Sequence, residues 1–159
     1  MRSLSGVNPL GLDSKLCFVL YAASRAMTAA YGPLLQPLGL TYPQYLGMVV
    51  LWEADGVSVK AVGERLQLDS GTLTPLLKKL EARGLVTRAR DEKDARVVRV
   101  KLTRTGRALE RKARSIPSAL ACQLDITLPA VARLREELTA LTQTLREANA
   151  ASTTKEDAP

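Results

Sequence analysis

The sequence holds two cysteines, Cys17 and Cys122, and no histidine. Without an imidazole, Ser-His-Asp triads, Cys-His dyads, histidine-ligated zinc and haem held by a proximal histidine are all excluded. Two thiols are too few for a four-cysteine metal site or for the disulfide scaffold of a small secreted domain, so no metal and no cofactor is expected. What remains open to them is redox chemistry. Cys17 lies four residues after Asp13, a good helix N-cap, where free amide donors and the helix dipole favour a thiolate over the thiol. The Asp13 carboxylate pulls the other way. Phe18, Val19 and Leu20 would give an organic peroxide an apolar approach, although a cysteine packed as a small hydrophobe has the same neighbours.

The elements that position these residues follow from periodicity. Leu16, Leu20, Ala23, Met27 and Ala30 recur at helical spacing, which predicts a helix over 13–31 stopped by Gly32-Pro33. Thr41-Tyr42-Pro43-Gln44 is a capping box that opens a buried helix over 42–54. Asp55-Gly56 breaks the chain, and Ser58 caps a short helix that turns Val59, Val62 and Leu66 inward. Asp69 and Ser70 then offer caps for a helix whose Leu73, Leu76, Leu77 and Leu80 form one stripe before Gly84 ends it. From Leu85 the period changes to two. Val86 and Arg88 lead to the polar tip 91–95, and Val98, Val100 and Leu102 alternate with Arg99 and Lys101, a β-hairpin. Thr103 caps a long basic helix, interrupted at Pro117 and continuing past Cys122. After Pro129, the positions Val131, Leu134, Leu138, Leu141 and Leu145 make a coiled-coil-like seam that seeks a partner. The tail 150–159 is small and polar and is expected to be disordered.

The chain has 159 residues, one domain's worth, and a net charge of +7. That charge is concentrated: residues 58–114 hold 16 Lys and Arg against 7 Asp and Glu, whereas the rest holds 7 against 9. A basic middle between nearly neutral flanks is the footprint of a polyanion-binding surface, and charge alone describes a solvated basic face equally well. The longest apolar runs, 16–23 and 45–52, are too short to span a bilayer. The acid Asp13 argues against reading the N-terminus as a signal peptide. We expect a cytoplasmic protein with no membrane partner.

Order and charge together decide between those two readings of the basic middle. Opposite the leucines of the helix after Asp69 lie Gly71, Pro75, Lys78, Lys79 and Ala82, with Thr72 and Thr74 on the flanks. Two short helices followed by a basic hairpin form a winged helix-turn-helix, with the second helix entering the major groove of double-stranded DNA. Ser70, Thr72, Thr74 and Pro75 would meet base edges or phosphates, and Lys78 and Lys79 the backbone. On the hairpin, the candidates are Arg88, Arg90, Asp94 and Arg96, with Arg96 near the tip suited to the minor groove.

Asp69 to Glu81, Asp94-Ala95-Arg96 and Leu102-Thr103-Arg104-Thr105-Gly106 together resemble the MarR (multiple antibiotic resistance regulator) family over nearly the whole chain. More narrowly, 12–21 (Leu-Asp-Ser-Lys-Leu-Cys-Phe-Val-Leu-Tyr), with Tyr31 and Tyr42 beyond it, resembles the organic hydroperoxide-sensing repressors of that family, the OhrR-like group. The resemblance implies a mainly α fold: a winged helix-turn-helix over 41–103, with a small β-wing and an all-helical dimerisation region from 10–40 and 104–149. It makes Cys17 the peroxide-reactive thiol, with Tyr31 and Tyr42 hydrogen-bonding to it and Asp13 beside it. It makes Cys122 the resolving thiol, which closes a disulfide onto Cys17 of the other subunit. The family's wing reads Asp-Pro-x-Asp-x-Arg, where this chain has Asp91-Glu92-Lys93-Asp94-Ala95-Arg96.

Along a straight helix, Tyr31 stands roughly 21 Å from Cys17. Contact between them requires a broken helix or a tyrosine supplied by a second subunit. The implied protein is a homodimeric repressor on a pseudo-palindromic operator, not an enzyme, released when organic hydroperoxide oxidises Cys17. Two alternatives use the same residues: a MarR-type repressor released by a small aromatic ligand, and a thiol peroxidase turning over through Cys17 and Cys122.

Overall fold

The computed structural model describes residues 8, 10–124 and 126–156. Its elements are a 3-10 turn at Leu12–Ser14, helix α1 (Leu16–Leu35), a second 3-10 turn (Gln36–Leu38), and helices α2 (Tyr42–Glu53), α3 (Val59–Leu66) and α4 (Ser70–Ala82). Strands β1 (Val86–Arg90) and β2 (Val98–Leu102) follow, then α5 (Arg104–Ala113), α6 (Ile116–Leu124) and α7 (Leu128–Glu156). The mainly helical, winged class expected from the sequence is the class observed.

The chain divides into two compact units, Met1–Leu120 and Ala121–Pro159, where the length had suggested a single domain. The reason lies in the distribution of apolar side chains. The core is built from α2, α3, α4, the hairpin and the ends of α1 and α5, and no described residue beyond Leu120 is buried in it. Leu51, Val62, Leu77, Leu80 and Val100 are fully buried. Each full burial of such a side chain is worth about 1.5–3 kcal/mol, which makes this first unit the stable part of the chain.

Local signals explain the helix-turn-helix. Thr41 N–H donates to Gln44 Oε1 at 3.0 Å, closing the capping box and satisfying a side chain that is otherwise buried. Ser58 Oγ accepts from Ala61 N–H at 3.1 Å at the head of α3. Asp69 Oδ1 accepts from Thr72 N–H at 2.9 Å at the head of α4. Gly84, at φ +65, closes α4 with bonds from its own N–H to Glu81 and from Leu85 N–H to the Leu80 carbonyl.

The strands pair antiparallel with Val86 opposite Leu102 and Arg90 opposite Val98. Val100 and Leu102 face the core as the alternation requires, while Val98, at the tip end, is exposed. Val100 N–H donates to Val57 O at 2.9 Å, tying the wing to the loop before α3.

Four expectations are corrected. The first helix begins at Leu16, not at an Asp13 cap, because Ser14 Oγ donates to the Gly11 carbonyl at 2.7 Å and the preceding stretch satisfies its groups in a 3-10 turn. Lys15 therefore holds the capping position, and the Asp13 side chain lies outside the described residues. Gly32-Pro33 does not stop α1. In the last turn the proline forfeits a single backbone bond, and burying Leu35 against the core outweighs that loss. The basic helix breaks at Arg114-Ser115, leaving Pro117 in the first turn of α6, where its missing donor is unneeded. Residues 150–156, expected to be disordered, extend α7, since each residue added to an existing helix gains a hydrogen bond without a new nucleus. Residues 157–159 lie outside the described ones.

Candidate nucleic-acid interface and thiol site

The leucine stripe of α4 dictates what its other side presents. With Leu73, Leu76, Leu77 and Leu80 buried, the residues Ser70, Gly71, Thr72, Pro75, Lys78, Lys79 and Ala82 are exposed and Thr74 is half-buried. A small, polar and basic face therefore stands free along the helix. Thr72 is partly committed: its hydroxyl donates to Asp69 Oδ2 at 2.9 Å. Two donations from Thr72, backbone first and then hydroxyl, hold the Asp69 carboxyl below its ordinary value.

The wing is fastened to that helix by a pair the sequence reading missed. Arg88 donates from its backbone N–H to Glu81 Oε1 at 3.0 Å, and from Nε and Nη2 to Oε2 at 2.9 and 2.7 Å. The Arg88 side chain keeps the Glu81 carboxyl below its usual range. Arg88 is thus engaged within the fold, while Arg90, Asp94 and Arg96 are exposed around the tip.

Asp91 organises the tip itself. Its Oδ1 accepts from the backbone N–H of Lys93 at 2.8 Å and of Asp94 at 3.1 Å, and its Oδ2 pairs with Arg99. The Arg99 guanidinium is the main cause of the lowered Asp91 carboxyl, with those two amides behind it. Arg99 Nη1 also reaches the Gly56 carbonyl at 3.0 Å, and Asp94 Oδ1 accepts from Arg96 N–H at 2.9 Å. Side-chain acceptors thereby shape this turn, which carries no proline between Asp91 and Arg96.

The two thiols are both exposed, Cys17 in the first unit and Cys122 in the second. Cys17 is the second residue of α1, nearer the free amides than the spacing from Asp13 implied. Tyr31 lies near the far end of the same helix, which runs unbroken from Leu16 to Leu35, so the first of the two options for its contact with Cys17 is removed. Tyr31 is brought against Tyr42, with ring centroids 4.7 Å apart, and against Tyr45 at 5.7 Å. Tyr45 in turn meets Trp52 at 6.2 Å, whose Nε1 donates to the Gly106 carbonyl at 2.9 Å.

Burial, with the neighbouring phenols behind it, pushes the Tyr31 and Tyr45 hydroxyls up. They stay protonated as hydrogen-bond donors at neutral pH. Tyr45 was not singled out from the sequence, although its spacing of three from Tyr42 on one helix was the available sign. Among the described residues there is no group of three or more metal-binding side chains, and no single helix is long and apolar enough to cross a membrane.

Residues 29–112 match the family described as "Transcriptional regulator SarA/Rot". The chain is 46% identical to the organic hydroperoxide resistance transcriptional regulator of Bacillus subtilis, over 87% of this chain and 94% of that protein. The chain belongs to the SarA/Rot family of winged-helix transcriptional regulators, of the OhrR/MarR type. Solved regulators of this type share the fold. Reduced AbfR of Staphylococcus epidermidis, bound to DNA, is 32% identical with a TM-score of 0.74, covering 86% of this chain and 94% of that one. The same protein in its disulfide-formed state is 33% identical with a TM-score of 0.62, covering 82% and 92%. This OhrR/MarR-type chain is accordingly a transcriptional regulator, the relatives it matches are regulators and not peroxidases, and solved neighbours include regulators bound to DNA.

Proposed function

We propose that this regulator is a homodimeric, cytoplasmic repressor whose grip on a pseudo-palindromic operator is released when an organic hydroperoxide oxidises Cys17. The observation that carries the reading is an exposed thiol at the head of α1 held far from Tyr31 by an unbroken helix. For the phenols of Tyr31 and Tyr42 to donate to that sulfur, as the resemblance implies, they must come from a second copy. The exposed apolar positions of α1 and α7 supply surfaces for that copy to cover: Leu16, Val19 and Met27 on one, Leu134, Leu138 and Leu145 on the other.

In the reaction, the thiolate attacks the terminal oxygen of the hydroperoxide. The S–O bond forms as O–O breaks, yielding a sulfenic acid and an alkoxide that takes a proton from solvent and leaves as the alcohol. Cys122 of the partner subunit then displaces water from the sulfenic acid to form a disulfide. AbfR, solved both reduced on DNA and with a disulfide formed, supports a two-state switch of this kind. Because a disulfide holds its α-carbons within about 7 Å, closing it fixes α1 relative to the helix bearing Cys122 and respaces the two reading helices. A loss of about 2.7 kcal/mol suffices for a hundredfold fall in affinity.

On the operator, α4 presents Ser70, Thr72, Thr74 and Pro75 to the major groove, and Lys78 and Lys79 to phosphates. Arg90, Asp94 and Arg96 carry the wing contact, and Arg88 serves by holding the wing through Glu81. The test is non-reducing electrophoresis together with operator release, before and after one equivalent of hydroperoxide. Wild type should shift to twice its mass and leave the DNA, whereas Cys17→Ser and Cys122→Ser should form no bridge. Release of Cys17→Ser from DNA by peroxide would overturn the reading.

A second reading, release by a small aromatic ligand, rests on an open groove of about 230 Å³ walled by Tyr45, Val49, Trp52, Ala113 and Pro117. A ligand there would still act on Cys17→Ser.

A further inference from the structure

The end of α1 and the end of α4 meet at one side chain. Arg83 follows Ala82, the last residue of α4, and its backbone N–H closes that helix on the Lys79 carbonyl at 3.3 Å. Its guanidinium reaches elsewhere: Nη2 donates to the Leu38 carbonyl at 3.1 Å and Nη1 to the Gly39 carbonyl. Both carbonyls belong to the turn in which α1 runs out. That turn satisfies its earlier carbonyls itself, through Gly39 N–H to Gln36 at 2.9 Å and Leu40 N–H to Leu35 at 3.3 Å. Carbonyls just past the end of a helix carry partial negative charge and attract a cation. Gly39 leaves room for it: its φ is +64, and a β-carbon there would stand 2.7 Å from Arg83 Nη2. The tie differs in kind from the packing around it. Leu35, Leu38 and Leu40 share the core with the leucines of α4, and apolar burial has no direction. A planar guanidinium held on two successive carbonyls has one. The described hydrogen bonds between 36–41 and 70–85 are these two.

We propose that Arg83 is a positioning residue for operator recognition, which ties α4 to the end of α1 and so makes the set of the DNA-reading helix follow the helix that bears Cys17. The regulatory half of this inference rests on the reading of Cys17 as the peroxide-reactive thiol, and the positioning half does not. Because α1 is unbroken from Leu16 to Leu35, a displacement of its head is carried to the turn at Leu38 and Gly39. The guanidinium passes it on to α4. Without the tie, α4 can pivot on its leucine stripe. The reduced protein then holds α4 less firmly in the geometry the operator selects, and the oxidised protein is driven less far from it.

The test uses the full-length chain and a duplex that the wild type selects from a random-sequence pool. Affinity for that duplex and for a scrambled one of equal length is measured on reduced protein and after one equivalent of cumene hydroperoxide. The ratio of the two affinities cancels the general loss of a positive charge. Arg83→Ala should lower the preference for the selected duplex about tenfold, the scale of a hydrogen bond from a charged group. It should also shrink the fall in affinity on oxidation from about a hundredfold to about tenfold. Gly39→Asn accepts the left-handed backbone but puts a β-carbon where the guanidinium sits, so it should reproduce both effects with the charge kept. Arg83→Lys, still a cationic donor, should recover much of each, a rescue that a general loss of stability would not give. Loss of the alkylatable Cys17 thiol to peroxide should run at the wild-type rate in all three. Wild-type preference together with wild-type release in Arg83→Ala overturns the proposal, and if that variant does not fold, the same result in Gly39→Asn does. If Cys17→Ser is still released from DNA by peroxide, the reading of Cys17 fails, while a lowered duplex preference in reduced Arg83→Ala still upholds the positioning role.

Discussion

The winged-helix region and the terminal helices solve opposite problems with the same alphabet. Between Tyr42 and Leu102 nearly every large apolar side chain is buried or packed against the core, and polar groups are joined in named pairs such as Glu81 with Arg88 and Asp91 with Arg99. Along α1 and α7 the apolar positions stand in solvent, with Leu16 at 59% and Leu134 at 47% exposure. The first region is complete in one chain. The second leaves apolar surface uncovered within one chain, which is where the proposed dimer would form, so the contrast separates residues that fold the winged unit from residues offered to the proposed self-association.

The sharpest way to break that contrast is at Gly106, where a β-carbon would collide with the Leu85 carbonyl at the base of the wing. Gly106→Ala should cost about 3 kcal/mol in denaturant unfolding, since backbone cannot yield as a side-chain tip can. Leu77→Ala, wholly inside the core, should cost about 2–5 kcal/mol in the same measurement. Leu138→Ala on α7 should leave unfolding of the winged unit within about 0.5 kcal/mol while weakening self-association in sedimentation. Equal effects of Leu77→Ala and Leu138→Ala on unfolding would erase the distinction.

Smaller effects sharpen the division within the reader itself. Lys78→Ala and Lys79→Ala should weaken binding to all duplexes alike and flatten the salt dependence by about one unit of slope each, as lost phosphate contacts do. Arg96→Ala should weaken operator binding without altering thiol oxidation. Acidification gives a further test. The Asp69, Glu81 and Asp91 carboxyls are held below their ordinary values, 3.8 for the aspartates and 4.5 for Glu81, so their contribution is fully present above those values. It is lost as pH falls through the lowered folded-state values. Thermal stability should therefore be level near neutrality and drop below about pH 4. Asp91→Asn should lessen that drop, because its pairing no longer depends on ionisation.

Much of this was legible from residues close together in sequence. The caps at Thr41, Ser58, Asp69 and Thr103 and the leucine stripe of α4 were readable because each is a rule over a few residues. The start of α1 was misplaced by three residues because Asp13 reads as a cap, whereas residues 12–14 close a 3-10 turn of their own with Ser14 Oγ donating to the Gly11 carbonyl. The pairing of Arg88 with Glu81 was invisible for a different reason: a charge on a strand reads as solvent-facing until the helix it meets is in place.

By itself, the order of residues determined the succession of elements, the basic and apolar faces, and the two thiols, since each depends on spacing along one chain. Tertiary structure alone decided that Arg88 and Asp91 are fasteners, that Tyr31, Tyr42, Tyr45 and Trp52 form a run of aromatic contacts, and that α1 continues through Pro33. Those outcomes turn on which groups from distant segments share the same few ångströms. Hydrogen bonding and burial are settled by that proximity and not by local preference.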